Sequence, residues 1–162
     1  MEGSQRVERV AVAILLSALA AACSPDSTGG SAAAACNALI DDGPRVAFMT
    51  SGATAPTPIG GTIADGTYEL TALTIYGTGT APNGMFSVVS QVTGNTMQQV
   101  GHENDVERRY TTTFTISGTT ISTQDSCPAP DSGEHSLSAT ATEFRIYDTT
   151  PAGILEQTNT KR

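Results

Sequence analysis

Val106-Glu-Arg-Arg-Tyr-Thr-Thr-Thr-Phe-Thr-Ile-Ser117 decides the fold. Val106, Tyr110, Phe114 and Ile116 fall on one face; Glu107, Arg109, Thr111, Thr113 and Thr115 fall on the other. Successive side chains of a strand point to opposite faces, so a period of two marks a half-buried strand. Gly118 and Thr119 supply a turn, and Ile121–Ser126 follows as the next strand, ending at Cys127.

The same grammar extends on both sides. Arg45–Thr50 reads as a first strand. Thr67–Tyr76 places Tyr68, Leu70, Ala72 and Tyr76 on one face, and Met85–Val92 places Phe86, Val88 and Val92 on one face. Thr93-Gly-Asn-Thr96 is a tight turn leading to Met97–His102. After the loop Pro128–Gly133, the segments Glu134–Ser138 and Glu143–Tyr147 form a last hairpin with Phe144 and Ile146 inward. Thr occurs 25 times and Lys once, a bias toward β-branched strand formers and away from helix. The expectation is an all-β domain of eight strands over residues 36–150. It is an antiparallel meander closed as a small barrel, with a β-sandwich as the alternative. Residues 51–66, rich in Gly, Ala, Thr and Pro, read as a long loop with little core to contribute. Residues 151–162 read as a loose polar tail.

Upstream of the domain, Val10–Ala22 is an uncharged apolar run of 13 residues ending at Cys23. That is too short to cross a bilayer and fits the core of a signal peptide. Arg6 and Arg9 before it are offset by Glu2 and Glu8. Ala20, Ala21 and Ala22 just before Cys23 resemble the cleavage and lipidation box of a bacterial lipoprotein, with Leu19 one position earlier than is usual. The resemblance implies removal of residues 1–22 and a lipid on Cys23, so that acyl chains tie the protein to a membrane. Ser24 after the cysteine resembles an outer-membrane sorting signal, placing the protein in the cell envelope. Residues 23–35 read as a tether, spanning about 20 Å if flexible. Its Ala run is able to add a helical turn into Cys36-Asn-Ala-Leu-Ile40, which Asp41-Asp42-Gly43-Pro44 breaks.

Cysteines give a consistent count. Lipidation of Cys23 leaves Cys36 and Cys127, an even pair free to bridge in an oxidising compartment. The bridge would close a loop of about 90 residues, which chain-entropy estimates value at roughly 4–5 kcal/mol.

Gly66-Thr-Tyr-Glu-Leu70 at a strand start and the units Val92-Thr-Gly-Asn-Thr96 and Ile116-Ser-Gly-Thr-Thr120 resemble small lipocalin-like barrels of bacterial lipoproteins over residues 66–148. That family starts its first barrel strand with Gly-x-Trp and packs an arginine of the last strand over the Trp. Here Tyr68 stands in the Trp position, and Arg145 is the arginine available.

Chemistry-bearing motifs are sparse. Net charge is −8, which disfavours nucleic acid and anionic lipid heads as partners, so membrane affinity falls to the lipid on Cys23. His102-Glu103-Asn-Asp105 reads as a solvated hairpin loop, and His102 and His135 stand at no metal-ligand spacing. No nucleophile motif or phosphate loop occurs, so no catalytic residue and no cofactor is expected. Arg108 lies on the apolar face and needs an acid or water; Arg109 lies on the polar face. If the barrel is hollow, Tyr68, Arg108, Tyr110, Phe114 and Phe144 line it. The expected role is a non-catalytic interaction or scaffolding module in the envelope that meets another envelope protein. Carrying a small apolar ligand is the alternative, and hydrolysis a distant third.

Overall fold

The computed structural model describes residues 36–162. The expected signal peptide, the lipidated Cys23 and the tether lie outside the described residues. Nine strands form one sheet: β1 (Val46–Ser51), β2 (Gly66–Tyr76), β3 (Met85–Thr93), β4 (Thr96–Glu103), β5 (Val106–Ser117), β6 (Thr120–Cys127), β7 (Asp131–Ala139), β8 (Glu143–Thr150) and β9 (Gly153–Lys161). There is no helix among the described residues, including over Cys36–Ile40. From β2 onward each strand pairs with the next, and β9 returns to pair with β2, so hydrogen bonds run in a closed ring. Closure removes the free edges that invite aggregation.

The loose tail expected at 151–162 is instead the closing strand. β9 pairs antiparallel with β2 from Tyr68↔Lys161 to Tyr76↔Ile154 and with β8 along its whole length. Its residues Glu156, Gln157, Thr158 and Asn159 are all buried although none is apolar. The domain therefore runs to Lys161.

The strand expected at Arg45–Thr50 is present, but it is a wedge outside the antiparallel meander. β2 and β3 pair only over Gly66–Glu69 against Val92–Val89. Beyond that they part, and β1 fills the gap, parallel to β2 at Phe48–Ser51 and antiparallel to β3 at Val46 and Ala47. A bulge at Leu70/Ala72 accompanies this parting. One extra residue reverses the phase of a strand. Leu73 and Ile75, not Ala72 and Tyr76, are thus the buried residues after it.

Two apolar clusters fill the interior. One, at the Tyr68 end, gathers Tyr68, Val92, Met97, Phe114, Ile121, Leu137, Phe144 and Ile146. Ile63 joins it at 3% exposure, so the 51–66 loop does supply core. Gly60 pairs with Ser138 and folds the loop across this end. Gly60 and Gly61 adopt positive φ where a Cβ would meet the backbone carbonyls of Gly118 and Ala139 at 2.2 and 2.4 Å. The second cluster, at the Phe86 end, gathers Leu70, Leu73, Ile75, Phe86, Val88 and Leu155, with Val46 and Phe48 of the wedge packed on it. The expected Cys36–Cys127 disulfide is formed, with Cα atoms 5.5 Å apart.

Candidate functional site

The interior wall opposite the wedge is polar. Register follows the inward face from Phe114↔Thr123 and Thr112↔Asp125 on β5–β6 to Asp125↔Asp131 and Ile121↔His135 on β6–β7. Asp125 and Asp131 therefore stand directly across from each other on one face, where like charges repel. Thr112 Oγ1 donates to Asp125 Oδ1 at 2.5 Å. Burial pushes the Asp125 carboxyl above the usual carboxylate range; the Thr112 hydrogen bond pulls it back, Asp131 pushes it further, and His135 offsets part of this.

β7 and β8 pair only over Ser136–Ala139 against Tyr147–Phe144. At the first position past that seam, His135 Nδ1 and Asp148 Oδ1 meet at 2.5 Å across the parting strands. Their side chains are 10% and 11% exposed. A carboxylate only accepts, so the imidazole donates from Nδ1, and in the neutral ring Nε2 is left with a lone pair. That Nε2 is buried without a hydrogen-bond partner in the structure, as are Asp148 Oδ2, Asp131 Oδ2 and Gln99 Oε1. Gly133, between Asp131 and His135 on the same face, carries no side chain; a Cβ there would lie 2.8 Å from His135 Nε2 and 3.3 Å from Thr123 Oγ1. Its φ is not positive, so the glycine supplies room, not a backbone conformation. An open groove of about 450 Å³ lies outside the seam, lined by Glu134, Ser136, Tyr147, Asp148 and Thr149 with His135 at its floor.

The other histidine is also paired with an aspartate. Asp41 Oδ2 accepts from Ser87 Oγ and from His102 Nδ1, each at 2.5 Å, and Asp41 Oδ1 accepts from the Gly43 N–H. Asn37 donates to the carbonyls of Gln99 and Tyr110, and Arg109 donates to the carbonyls of Asn37 and Leu39. Residues 36–43 thus form a strap across the outer face of β3, β4 and β5, held mainly by side chains. Arg109, expected in solvent, lies under the strap with its side chain 13% exposed. His102 belongs to β4, and the turn is Asn104-Asp105, both at positive φ.

The five residues expected to line a lumen do not converge. Tyr68, Phe114 and Phe144 share the first apolar cluster, with Tyr68 and Phe144 rings edge-on at 5.0 Å and Tyr68 Oη donating to the Ala64 carbonyl. Arg108 and Tyr110 sit toward the other end; Arg108 lies 3.7 Å from Glu103, and burial raises the Tyr110 hydroxyl pKa. The pocket beside Arg108 and Tyr110 and the one beside Phe144 and His135 measure about 20 Å³ each, room for roughly one water apiece. Arg145 does not reach Tyr68; it pairs with Glu143 and Glu156 on the outer face. Lys161 takes that place, its Nζ 6.0 Å from the Tyr68 ring centre, with its stem against Gly66.

No three histidine, cysteine or carboxylate side chains among the described residues come close enough to share a metal ion. His135 and Ser136 are consecutive in a strand and face opposite sides, so this hydroxyl is out of reach of this imidazole. No protein-family model, curated protein or solved structure matches this chain.

Proposed function

We propose that this chain is a lipid-anchored envelope protein whose β domain is a non-catalytic interaction module. The observation that carries this reading is a filled interior beneath an apolar outer face at the wedge. Among the described residues, the pocket beside Arg108 and Tyr110 and the one beside Phe144 and His135 hold only about 20 Å³ each, far below the several hundred Å³ of small-molecule sites. Outside, Ala47 of β1 lies across from Met85 of β3, and Met49 continues the same face. Met49 and Met85 are 57% and 43% exposed. Methionine is soft and adaptable, which suits a contact surface for another protein.

The lipocalin-like resemblance gains support from Gly66, Tyr68 and Lys161. A glycine and an aromatic open the first ring strand, and a cation of the last strand lies over the aromatic ring. The ring closure from β9 to β2 is what a small barrel of that build requires. The anchor rests on Cys23 and the residues before it, and Ser24 points to the outer membrane. The disulfide fits an oxidising envelope compartment.

Mass spectrometry of the mature N-terminus tests the anchor, with a diacylglyceryl-modified Cys23 expected. An unmodified chain starting elsewhere would remove it. Native mass spectrometry separates module from carrier. The purified protein is expected without a bound lipid; a stoichiometric apolar ligand would favour the carrier.

A further inference from the structure

We infer that the free edge of β7 at Ser132–Glu134 receives a basic, extended segment of another protein as an added strand. The ring is closed, but not along its full height. β7 and β8 pair over four residues, and the ladder stops at Ser136↔Tyr147. The Leu137 N–H donates to the Thr119 carbonyl, on the β6 side. Peptide groups alternate along a strand, so those of Ser136, Glu134 and Ser132 point the other way, toward β8. Those of Ser136 meet Tyr147. The Ser132 N–H is taken by Asp131 Oδ1 at 2.8 Å. The Ser132 carbonyl and both peptide groups of Glu134 face the gap, where no strand of the ring pairs with them. Ser132, Glu134 and, across the gap, Thr149 are all exposed. Such an edge is a template for one more strand.

The other place where neighbours part shows what such a gap accepts. Between β2 and β3 the ring holds β1, an extended segment paired with both. Outside the β7–β8 seam the open groove of about 450 Å³ leaves room for a comparable segment. Charge selects its chemistry. Glu134 and Asp148 line the groove, and no lysine or arginine does. Glu134 holds only the Ser122 hydroxyl, at 3.3 Å. A strand added here sets alternate side chains beside Glu134, where a cation is favoured. The side chains between them face the His135–Asp148 floor and must be small. A second copy of the chain fits less well. Each described arginine already lies beside a carboxylate of its own chain, and Lys161 belongs to β9, which is paired on both sides. β8, β9 and β2 lie between this edge and the wedge, so the site stands apart from Met49 and Met85 and from the lipid anchor.

The probe is the blocked peptide acetyl-Lys-Thr-Lys-Thr-Lys-amide, titrated into the purified, oxidised full-length chain and followed by amide NMR and hydrogen exchange. Saturable shifts along β7 are expected, and the Glu134 amide, exchanging fast in the free protein, should slow on binding. The same peptide N-methylated throughout keeps the charge and loses the donors, so it should not bind. Glu134→Lys changes an exposed side chain, and the circular dichroism spectrum should persist. The basic peptide should bind this variant at least about fivefold more weakly, and the peptide with Glu in place of Lys should bind it more tightly than it binds the native protein. No saturable shift at about 5 mM peptide, a range that reaches millimolar affinity, overturns the inference. Equal binding of the N-methylated peptide overturns it as well, since only adsorption to surface carboxylates would remain. So does a Glu134 amide already protected in the free protein, because the edge would then be closed.

Discussion

Both histidines of this chain meet an aspartate through Nδ1 at 2.5 Å, yet the two pairs do different work. The outer pair, His102 with Asp41, is saturated: Ser87 and the Gly43 amide complete the carboxylate, and the strap is stapled to the sheet. The inner pair, His135 with Asp148, leaves one atom of each partner buried and unbonded. A buried polar network that is closed adds rigidity, whereas one that is half-closed leaves a desolvation cost uncompensated. The contrast separates a structural clasp from a candidate site, although residue type and the contact distance match.

The largest effect belongs to the strap. Replacing Cys36 and Cys127 by serine frees a loop spanning 91 positions, and the loss should approach 4–5 kcal/mol by loop entropy. Equilibrium urea unfolding measures it, and the β spectrum should persist in the native baseline. A loss below about 1 kcal/mol would mean that the side-chain bonds alone hold the strap in place.

The two clasps are next. Asp41→Ala strips acceptors from Ser87, His102 and the Gly43 amide at once and should cost about 2–3 kcal/mol. Asp148→Ala removes an acceptor from His135 but also removes an oxygen that had no partner, so about 1 kcal/mol is expected. If unfolding shows Asp148→Ala to be the costlier change, the distinction between closed and open networks is wrong.

Asp125 sharpens the comparison through pH. Its folded pKa lies above the unfolded value of 3.8, chiefly through burial. The protonated form therefore favours the fold. The stability it contributes is fully present below the unfolded pKa and is lost as pH rises through the folded one. Asp125→Asn keeps an acceptor for Thr112 and removes that dependence. The variant should gain on the native protein between pH 4 and pH 7 in paired unfolding curves. A difference that stays constant with pH would show that Asp125 is not strained by its surroundings.

Much of this architecture was legible. β3 and β5 follow from alternation, because there one face is largely apolar, and the turns at Gly94 and Gly118 place β4 and β6 directly after them. β9 was not legible, because Gln157 and Asn159 face inward beside Leu155 and no contrast between faces survives. The phase of β2 failed after Leu70, since a bulge leaves no mark in Leu-Thr-Ala-Leu. Asp131 and Gly133 read as loop because Pro128-Ala-Pro-Asp-Ser-Gly133 has turn composition. Yet Asp131, Gly133, His135 and Leu137 continue one face of a strand, and that period of two was the available clue. The pairing of each histidine with an aspartate 61 or 13 positions away depends on closure of the ring and leaves no local trace.

The smallest expected effect concerns the chain's single lysine. In a protein with twice as many acids as bases, this one flexible cation lies against Gly66 and over Tyr68. That is the end of the ring remote from Asp125 and Asp131. A cation over a partly exposed ring contributes about 0.5–1 kcal/mol. Lys161→Met keeps most of the stem that covers Gly66 and removes only the charge, so a loss of about 0.5 kcal/mol or less is expected in thermal unfolding. A clearly larger loss would mean that the Lys161 charge does more than lie over the Tyr68 ring.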